Sequence, residues 1–377
     1  MLRRTIVSVA GARPNFMKIA PVAAALAARP DEFRHVLVHT GQHYDRELSQ
    51  VFLEEFGLGE PDHSLGVGSG SHALQTALVM ERLDPVLRRI RPDVVLVPGD
   101  VNSTLAAALT AAKLGLTVGH VEAGLRSFDC SMPEELNRVV VDQLADLLFT
   151  HSPEAGANLL DEGRPAGAVH FVGNTMIDTL VAMRPRIAAA DAPGRLGLAP
   201  RSYVVVTLHR PALVDGVLLA EAMRGLENLA RELTVVFPVH PRTLKELRTR
   251  GLEPKHPELR LLEPLGYVEF LSLVQHAAAV LTDSGGIQEE TTFLGIPCFT
   301  LRDSTERPIT CELGTNTVLG LFPERIAEIP GRLQRAGPSE AAIPPLWDGR
   351  AATRIVEVLR LALAPESGES RGVAVPT

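Results

Sequence analysis

Short apolar runs alternate with longer, helix-compatible segments along most of this 377-residue chain. TIVSVAG precedes MKIAPVAAALAARP, HVLVHTG precedes the amphipathic RELSQVFLEEFG, and DVVLVPGD leads into VNSTLAAALTAAKLG. TVGHVEAG and LLFTHSP carry the rhythm on, and it restarts with YVVVTLHRP, LTVVFPVHP, LRLLEPL, AAVLTDSGG and IPCFTLRD. Strands this continuously apolar offer no polar face to water, so both faces must be covered. The intervening helices supply that cover, which predicts parallel sheets. The restart predicts two Rossmann-like, doubly wound α/β domains, 1–172 and 173–349, with the boundary near HFVGNTMIDTL. The Ala/Pro/Gly-rich stretch 188–200 falls early in the second half, and the C-terminal SGESRGVAVPT is expected to be poorly ordered.

Hydrophobic residues make up 45% of the chain, enough for two cores. No apolar run approaches the ~18–20 residues of a membrane span. The opening MLRRTIVSVAGARP has neither the hydrophobic region nor the cleavage site of a secretory signal, so the cytoplasm is the expected compartment. Cys130, Cys298 and Cys311 show no metal-ligand spacing. A formal charge of −8 argues against a broad nucleic-acid surface. An anionic small molecule would need specific arginines and helix ends.

Parallel α/β sheets present ligands to the loops at the carboxyl ends of their strands. The unusual residues gather at those ends: Arg13, His43, Asp100, Glu122, His209, His240 and Ser284. Two such edges facing one another would form an interdomain cleft. GARPNFMK puts Arg13 after the first strand and Lys18 one helical turn on, where both could meet phosphate or sugar oxygens, or simply remain solvated. GVGSG at 66–70 neither follows a clear strand nor completes G-x-G-x-x-G, so it reads as a flexible loop and lends little support to a dinucleotide cofactor.

Asp100 ends PGD, HVEAGLR supplies Glu122 and Arg126, and SMPEELNR adds Glu134, Glu135 and Arg138, the last four residues beyond Glu134 on a helix. An acid at a helix start can serve only the positive helix end or a nearby arginine. With Asp100 and Glu122, however, Glu134 completes a carboxylate group that could divide acid and base roles. TLHRP places His209 and Arg210 at another strand end, as structural residues or as phosphate contacts. In DSGGIQEE, consecutive amides at a helix start can bind a diphosphate without a lysine, and Glu290 can take ribose hydroxyls farther along a nucleotide. The plainer alternative is a glycine turn followed by helix-stabilising acids.

GARPNFMK, TGQH, PGD, HVEAGLR, PEELNR, GNTMID, TLHRP, FPVHP, DSGGIQEE and RDSTERP occur in that order through nearly the whole chain. In this the sequence closely resembles the non-hydrolysing UDP-N-acetylglucosamine 2-epimerases. The resemblance implies a two-domain glycosyltransferase-B-type fold whose C-terminal helix, 350–366, returns to the first domain. It implies a cytoplasmic homodimer, an isomerase supplying polysaccharide precursors, that takes a UDP-sugar and needs no nicotinamide or metal. Asp100, Glu122 and Glu134 would form the acidic reaction centre, supported by Arg138. Arg13 and Lys18 would line the sugar–diphosphate region, and His209 and Arg307 would approach the diphosphate. Ser284, Gly285 and Gly286 would bind phosphate, Glu290 the ribose, and Phe270 would flank uracil near the main chain of Leu265.

The implied reaction is reversible C2 epimerisation of UDP-GlcNAc to UDP-ManNAc through 2-acetamidoglucal. Alternatives are a 2-epimerase of a related UDP-sugar, a hydrolysing epimerase and a UDP-dependent glycosyltransferase; a catalytically silent binder is disfavoured by the acids. Asn15 stands where the family is often acidic, VNS replaces a threonine-rich run after Asp100, and Ala212–Leu213 follow HRP where polar residues are common. These departures leave the exact sugar open. Gln42, His43 and His240 match parts of a site where many members bind a second UDP-sugar, but GVGSGSH has no arginine in the corresponding loop.

Overall fold

The computed structural model describes residues 3–41, 52–335 and 342–364. Gln42, His43, the side chain of Arg13 and the SGESRGVAVPT tail lie outside the described residues. Seven strands, β1 (Arg4–Ala10), β2 (Phe33–His39), β3 (His63–Ser64), β4 (Val94–Pro98), β5 (Thr117–Val121), β6 (Leu147–Thr150) and β7 (Val169–Phe171), form a sheet in the order β3-β2-β1-β4-β5-β6-β7. Six more, β8 (Tyr203–Thr207), β9 (Thr234–Pro238), β10 (Leu259–Leu262), β11 (Ala279–Thr282), β12 (Cys298–Thr300) and β13 (Asn316–Val318), form a second in the order β10-β9-β8-β11-β12-β13. Neighbours pair in parallel, as where Ser8 faces Leu96 and Thr207 faces Thr282.

Both orders reverse direction beside their first strand, between β1 and β4 and between β8 and β11. At such a reversal the two flanking connections leave toward opposite faces and open a crevice at the carboxyl edge. The chain order therefore marks where each sheet can hold a ligand before any side chain is considered.

By contact the chain divides into two compact units. One comprises Met1–Val121, Leu144–Phe149 and the chain from Ala352 onward; the other comprises Glu122–Gln143 and Thr150–Ala351. In the first, Arg4 donates to the carbonyl of Leu363 at 2.7 Å and Arg29 pairs with Glu357, tying down the helix Ala351–Ala362. In the second, the helix Leu218–Leu229 buries Leu219, Ala222, Met223, Leu226 and Leu229, an i, i+3, i+4, i+7 stripe, in the core with Val204, Val206, Leu281 and Phe299. Each such leucine contributes about 1.5–3 kcal/mol by leaving water. Leu213, one of the departures after HRP, is fully buried in the same core, which accounts for an apolar residue there. Among the described residues no helix is long and apolar enough to cross a membrane.

Candidate active site

At the carboxyl edge of the first sheet, Asn15 is buried and joins two loops. Its Oδ1 accepts from the main-chain N–H of Gly11 and Ala12 at 3.1 and 3.0 Å, while its Nδ2 donates to the carbonyl of Pro98 at 2.9 Å. A carboxylate could accept the first two bonds but not make the third. Thr104 Oγ1 donates to the same carbonyl at 2.7 Å, so the turn carrying Asp100 is held from two sides. Asp100 is half-buried and Lys18 is buried in the same unit.

Asn102, from the VNS departure, bonds His72 Nδ1 and donates to Gln75 Oε1 at 2.9 Å; Gln75 in turn reaches the carbonyl of Gly68. The glycine-rich segment expected to be flexible is thus pinned. Val67 and Gly68 donate to the carbonyls of Thr40 and Gly41 at 2.9 and 2.7 Å, continuing the β2–β3 ladder, and Arg82 donates to the carbonyls of Leu65 and Gly66 at 2.8 and 2.6 Å. A cation does reach this loop, but from the following helix, and it is turned onto the loop's own carbonyls.

Glu122, immediately after β5, belongs by contact to the second unit. It is buried, with φ at +72°, a left-handed conformation that costs a side-chain-bearing residue about 1–3 kcal/mol and concentrates at functional sites. Gly124, at φ +81°, passes so close to the Ala155 carbonyl that a Cβ would lie 2.1 Å from it; only glycine fits. Asp142 accepts from the Gly124 N–H and pairs with Arg126 at 2.7 Å, and Arg126 also grips Glu162. Arg126 therefore anchors the loop that strains Glu122.

The helix Pro133–Leu144 begins with both acids of PEELNR, and the structure gives them different work. Glu135 is buried and accepts from Ser127 N, Ser127 Oγ and Phe128 N, all at 2.9 Å. Arg138 Nη1 bonds Glu135 at 2.5 Å, so the pair made here is i,i+3 to Glu135 and not the i,i+4 pair to Glu134 that the spacing suggested. Half-buried Glu134 lies within electrostatic reach of Arg210.

At the second sheet's reversal, Asp283 and His209 stand side by side. Asp283 Oδ2 accepts the main-chain N–H of His209 and Arg210 at 2.8 and 2.7 Å, and Oδ1 lies 3.0 Å from His209 Nδ1. Burial would raise the Asp283 carboxyl, but the bonds and charge from His209 and the two amides outweigh it and hold its pKa below the ordinary value. Arg210 Nε donates to the Asp283 carbonyl at 3.0 Å. The His240 ring lies 6.1 Å from that of His209, and burial, then His209 and Arg242, lower its pKa.

RDSTERP folds its own ion pair: Arg302 binds Glu306 through two bonds of 2.8 and 2.7 Å. Burial opposes ionisation of Glu306, yet Arg302, Arg307 and Arg210 carry its pKa well below the carboxylate range. Burial and the Arg302 charge lower Arg210 in turn. Arg307 is held by Glu289 Oε1 at its Nε, 2.8 Å away, and its Nη2 reaches Glu122 Oε1 at 3.2 Å. Its guanidinium lies against Gly285, where a Cβ would stand 2.4 Å from Nη1. Glycine at this helix start therefore admits the arginine as well as leaving amides open. Gly286 and buried Glu290 continue the helix Gly285–Leu294 behind Ser284, while Leu265 and Phe270 are half-buried around the start of the helix Tyr267–Val274.

The family profile described as UDP-N-acetylglucosamine 2-epimerase matches residues 24–360. A Methanococcus maripaludis protein named UDP-N-acetylglucosamine 2-epimerase is 40% identical over 328 residues, 84% of this chain and 88% of the relative. The crystal structure of Methanocaldococcus jannaschii UDP-GlcNAc 2-epimerase in complex with UDP-GlcNAc and UDP is similar at a TM-score of 0.85 and 36% identity, covering 95% of this chain and 99% of that one. The chain belongs to the UDP-N-acetylglucosamine 2-epimerase family. The family is one of isomerases, and its glycosyltransferase-B-like α/β fold is the fold seen here. A Pseudomonas aeruginosa relative named UDP-2,3-diacetamido-2,3-dideoxy-D-glucuronate 2-epimerase is 39% identical over 330 residues, 86% of this chain and 90% of its own.

For an epimerase of this family, the second unit brings Glu122, Arg307 and Gly285 into one cluster, and His209 to His240 and Asp283. What the sequence reading lacked is the supporting role of Asp283, Glu289, Arg302, Glu306 and Glu135. Asp283 and Glu289 stood in DSGGIQEE with a signal available. An acid fully buried at a strand end or inside a helix must find a cation or donors, and His209 and Arg307 were partners the sequence already offered.

Proposed function

We propose that the protein interconverts UDP-GlcNAc and UDP-ManNAc by inverting the sugar at C2. The observation that carries this reading is the position of Arg307, set against the Gly285 helix start and 3.2 Å from Glu122. A cation suited to a departing diphosphate thereby adjoins an acid of the reaction centre. A carboxylate takes the C2 proton, the C1–O bond breaks with its electron pair passing to UDP, and a C1=C2 double bond forms, giving 2-acetamidoglucal. A proton then reaches C2 from the opposite face while the UDP oxygen attacks C1.

In this reading Asp100, Glu122 and Glu134 share the proton transfers. Arg13, His209, Arg307 and the amides of 284–286 stabilise the diphosphate as charge develops on it. Lys18 and Arg138 serve the sugar side, Glu290 takes the ribose hydroxyls, and Phe270 with the Leu265 main chain takes uracil. Residues 1–172 with 350–366 act as one domain and 173–349 as the other, in a cytoplasmic homodimer. Incubation with UDP-GlcNAc alone, followed by NMR, tests the reaction. UDP-ManNAc is expected; free UDP with free sugar points to hydrolysis, and turnover only on adding an acceptor points to a transferase.

A second reading keeps the chemistry and changes the sugar. The Pseudomonas aeruginosa relative is nearly as similar as the Methanococcus maripaludis one, and the departures Asn15 and Asn102 lie at the edge that carries Asp100. Turnover of a 2,3-diacetamido UDP-uronate in preference to UDP-GlcNAc would select it.

A further inference from the structure

We infer that Asp283 is a positioning residue for His209, fixing its imidazole through Nδ1 and leaving Nε2 as the nitrogen available to substrate. Asp283 is fully buried, and its two oxygens divide the work. Oδ2 takes two main-chain N–H groups and so holds the ends of β8 and β11 together, a structural task. Oδ1 lies 3.0 Å from a ring nitrogen whose side chain is 42% exposed, which serves no fold requirement. An ionised carboxylate only accepts hydrogen bonds. At 3.0 Å a bare Nδ1 would set its lone pair against those of Oδ1, so the neutral ring carries its proton on Nδ1, as a close ion–dipole contact and not a well-aligned hydrogen bond, with the Nε2 lone pair outward, and the protonated ring gains a counter-charge on its inner side.

The same geometry says what an amide would do. In Asp283→Asn the amide oxygen is claimed by the two main-chain donors, and the NH2 group then faces His209 Nδ1. That nitrogen must accept, so the proton moves to Nε2 and the outward nitrogen changes from acceptor to donor. The other groups around the ring, Arg210 from the first strand end and His240 with its neighbour Arg242 from the start of the helix Pro241–Thr249, stay as they are.

The kinetic consequence rests on the epimerase reading, and the tautomer does not, so the two can fail separately. Protein carrying 15N-labelled histidine is examined by two-dimensional NMR at a pH where the ring is neutral. The His209 signals are identified by their loss in His209→Gln. The expected result is an Nδ1-protonated His209 in the wild type and an Nε2-protonated ring in folded Asp283→Asn. With UDP-GlcNAc, kcat of Asp283→Asn should fall roughly tenfold to a hundredfold with KM little changed. In the His209→Gln background the same change should have no further effect on kcat. An Nε2-protonated ring in the wild type overturns the inference, even if the variant does not fold. So does a fall in kcat that is as large with His209 absent, which would leave Asp283 with its strand-end role alone.

Discussion

At the carboxyl edge of the first sheet the loops are tied by amides, hydroxyls and a ring, among them Asn15, Thr104, Asn102, Gln75 and His72. At the same edge of the second sheet they are made by carboxylates and guanidiniums: Asp283, Arg210, Arg302, Glu306, Arg307 and Glu289. Neutral groups fix the shape of the turn before Asp100. In the second sheet Arg302 and Arg307 are aimed by acids and Arg210 by the main-chain carbonyl of Asp283, so the edge presents directed N–H groups and does not rely on excess positive charge. That suits a diphosphate, whose recognition depends on donors fixed before it arrives.

The contrast predicts that the two edges fail differently. Asp100→Asn should chiefly lower turnover, by roughly a hundredfold or more, if it removes a proton-transfer group as proposed. UDP affinity, read by calorimetry, should stay within a few-fold. Glu290→Ala should do the reverse: UDP affinity falls about ten- to a hundredfold, the equivalent of losing one charged hydrogen bond worth roughly 1.5–3 kcal/mol. Unchanged UDP binding in folded Glu290→Ala removes the ribose role.

Stability should separate the edges by pH. Glu306→Gln breaks a buried pair and should cost about 3 kcal/mol near neutrality. The folded-state pKa of Glu306 lies below its ordinary value of 4.5, so this contribution is complete above that value and lost as pH falls below it. The gap between wild type and Glu306→Gln should therefore shrink in denaturant melts below about pH 4.5. Asn15→Ala strands two main-chain donors, leaves the Pro98 carbonyl with Thr104 alone, and should cost about 1–3 kcal/mol. None of its partners titrates, so that gap should stay level from pH 7 to 4. A pH-dependent Asn15 gap would erase the distinction between the edges.

These contrasts also mark how far the sequence could be read. The parallel strands were legible because β1, β4, β8 and β11 are apolar nearly end to end, and the ligand-facing residues because they interrupt that pattern at strand ends. Glu122 and His209 came from such interruptions, Gly285 from the glycine turn that opens a helix, and Arg307 from the family resemblance alone. Their supports did not, since Glu135 rather than Glu134 meets Arg138 through a one-residue difference in helical phase, and Glu289 meets Arg307 across 18 positions of chain. The loop at 66–70 misled because glycine content speaks for local freedom and is silent about Arg82 and Gln75 arriving from the next helix.

The smallest expected effect concerns regulation. Arg82 turns its Nη1 onto the carbonyls of Leu65 and Gly66, and residues 66–70 supply no cation of their own. A second UDP-sugar at this loop would then gain little charge-assisted binding. Kinetics from UDP-ManNAc should change only a few-fold on adding trace UDP-GlcNAc. An absolute requirement for the trace would show that another residue supplies the missing cation.

Turnover of UDP-GlcNAc in deuterated water, followed by NMR of the sugar C2 position, tests the central claim most directly. Removal of a proton by the carboxylates and its return from the opposite face predicts UDP-ManNAc with deuterium at C2. Epimerised product that keeps its original C2 hydrogen would contradict elimination and re-addition, and with it the roles given to Asp100, Glu122 and Glu134.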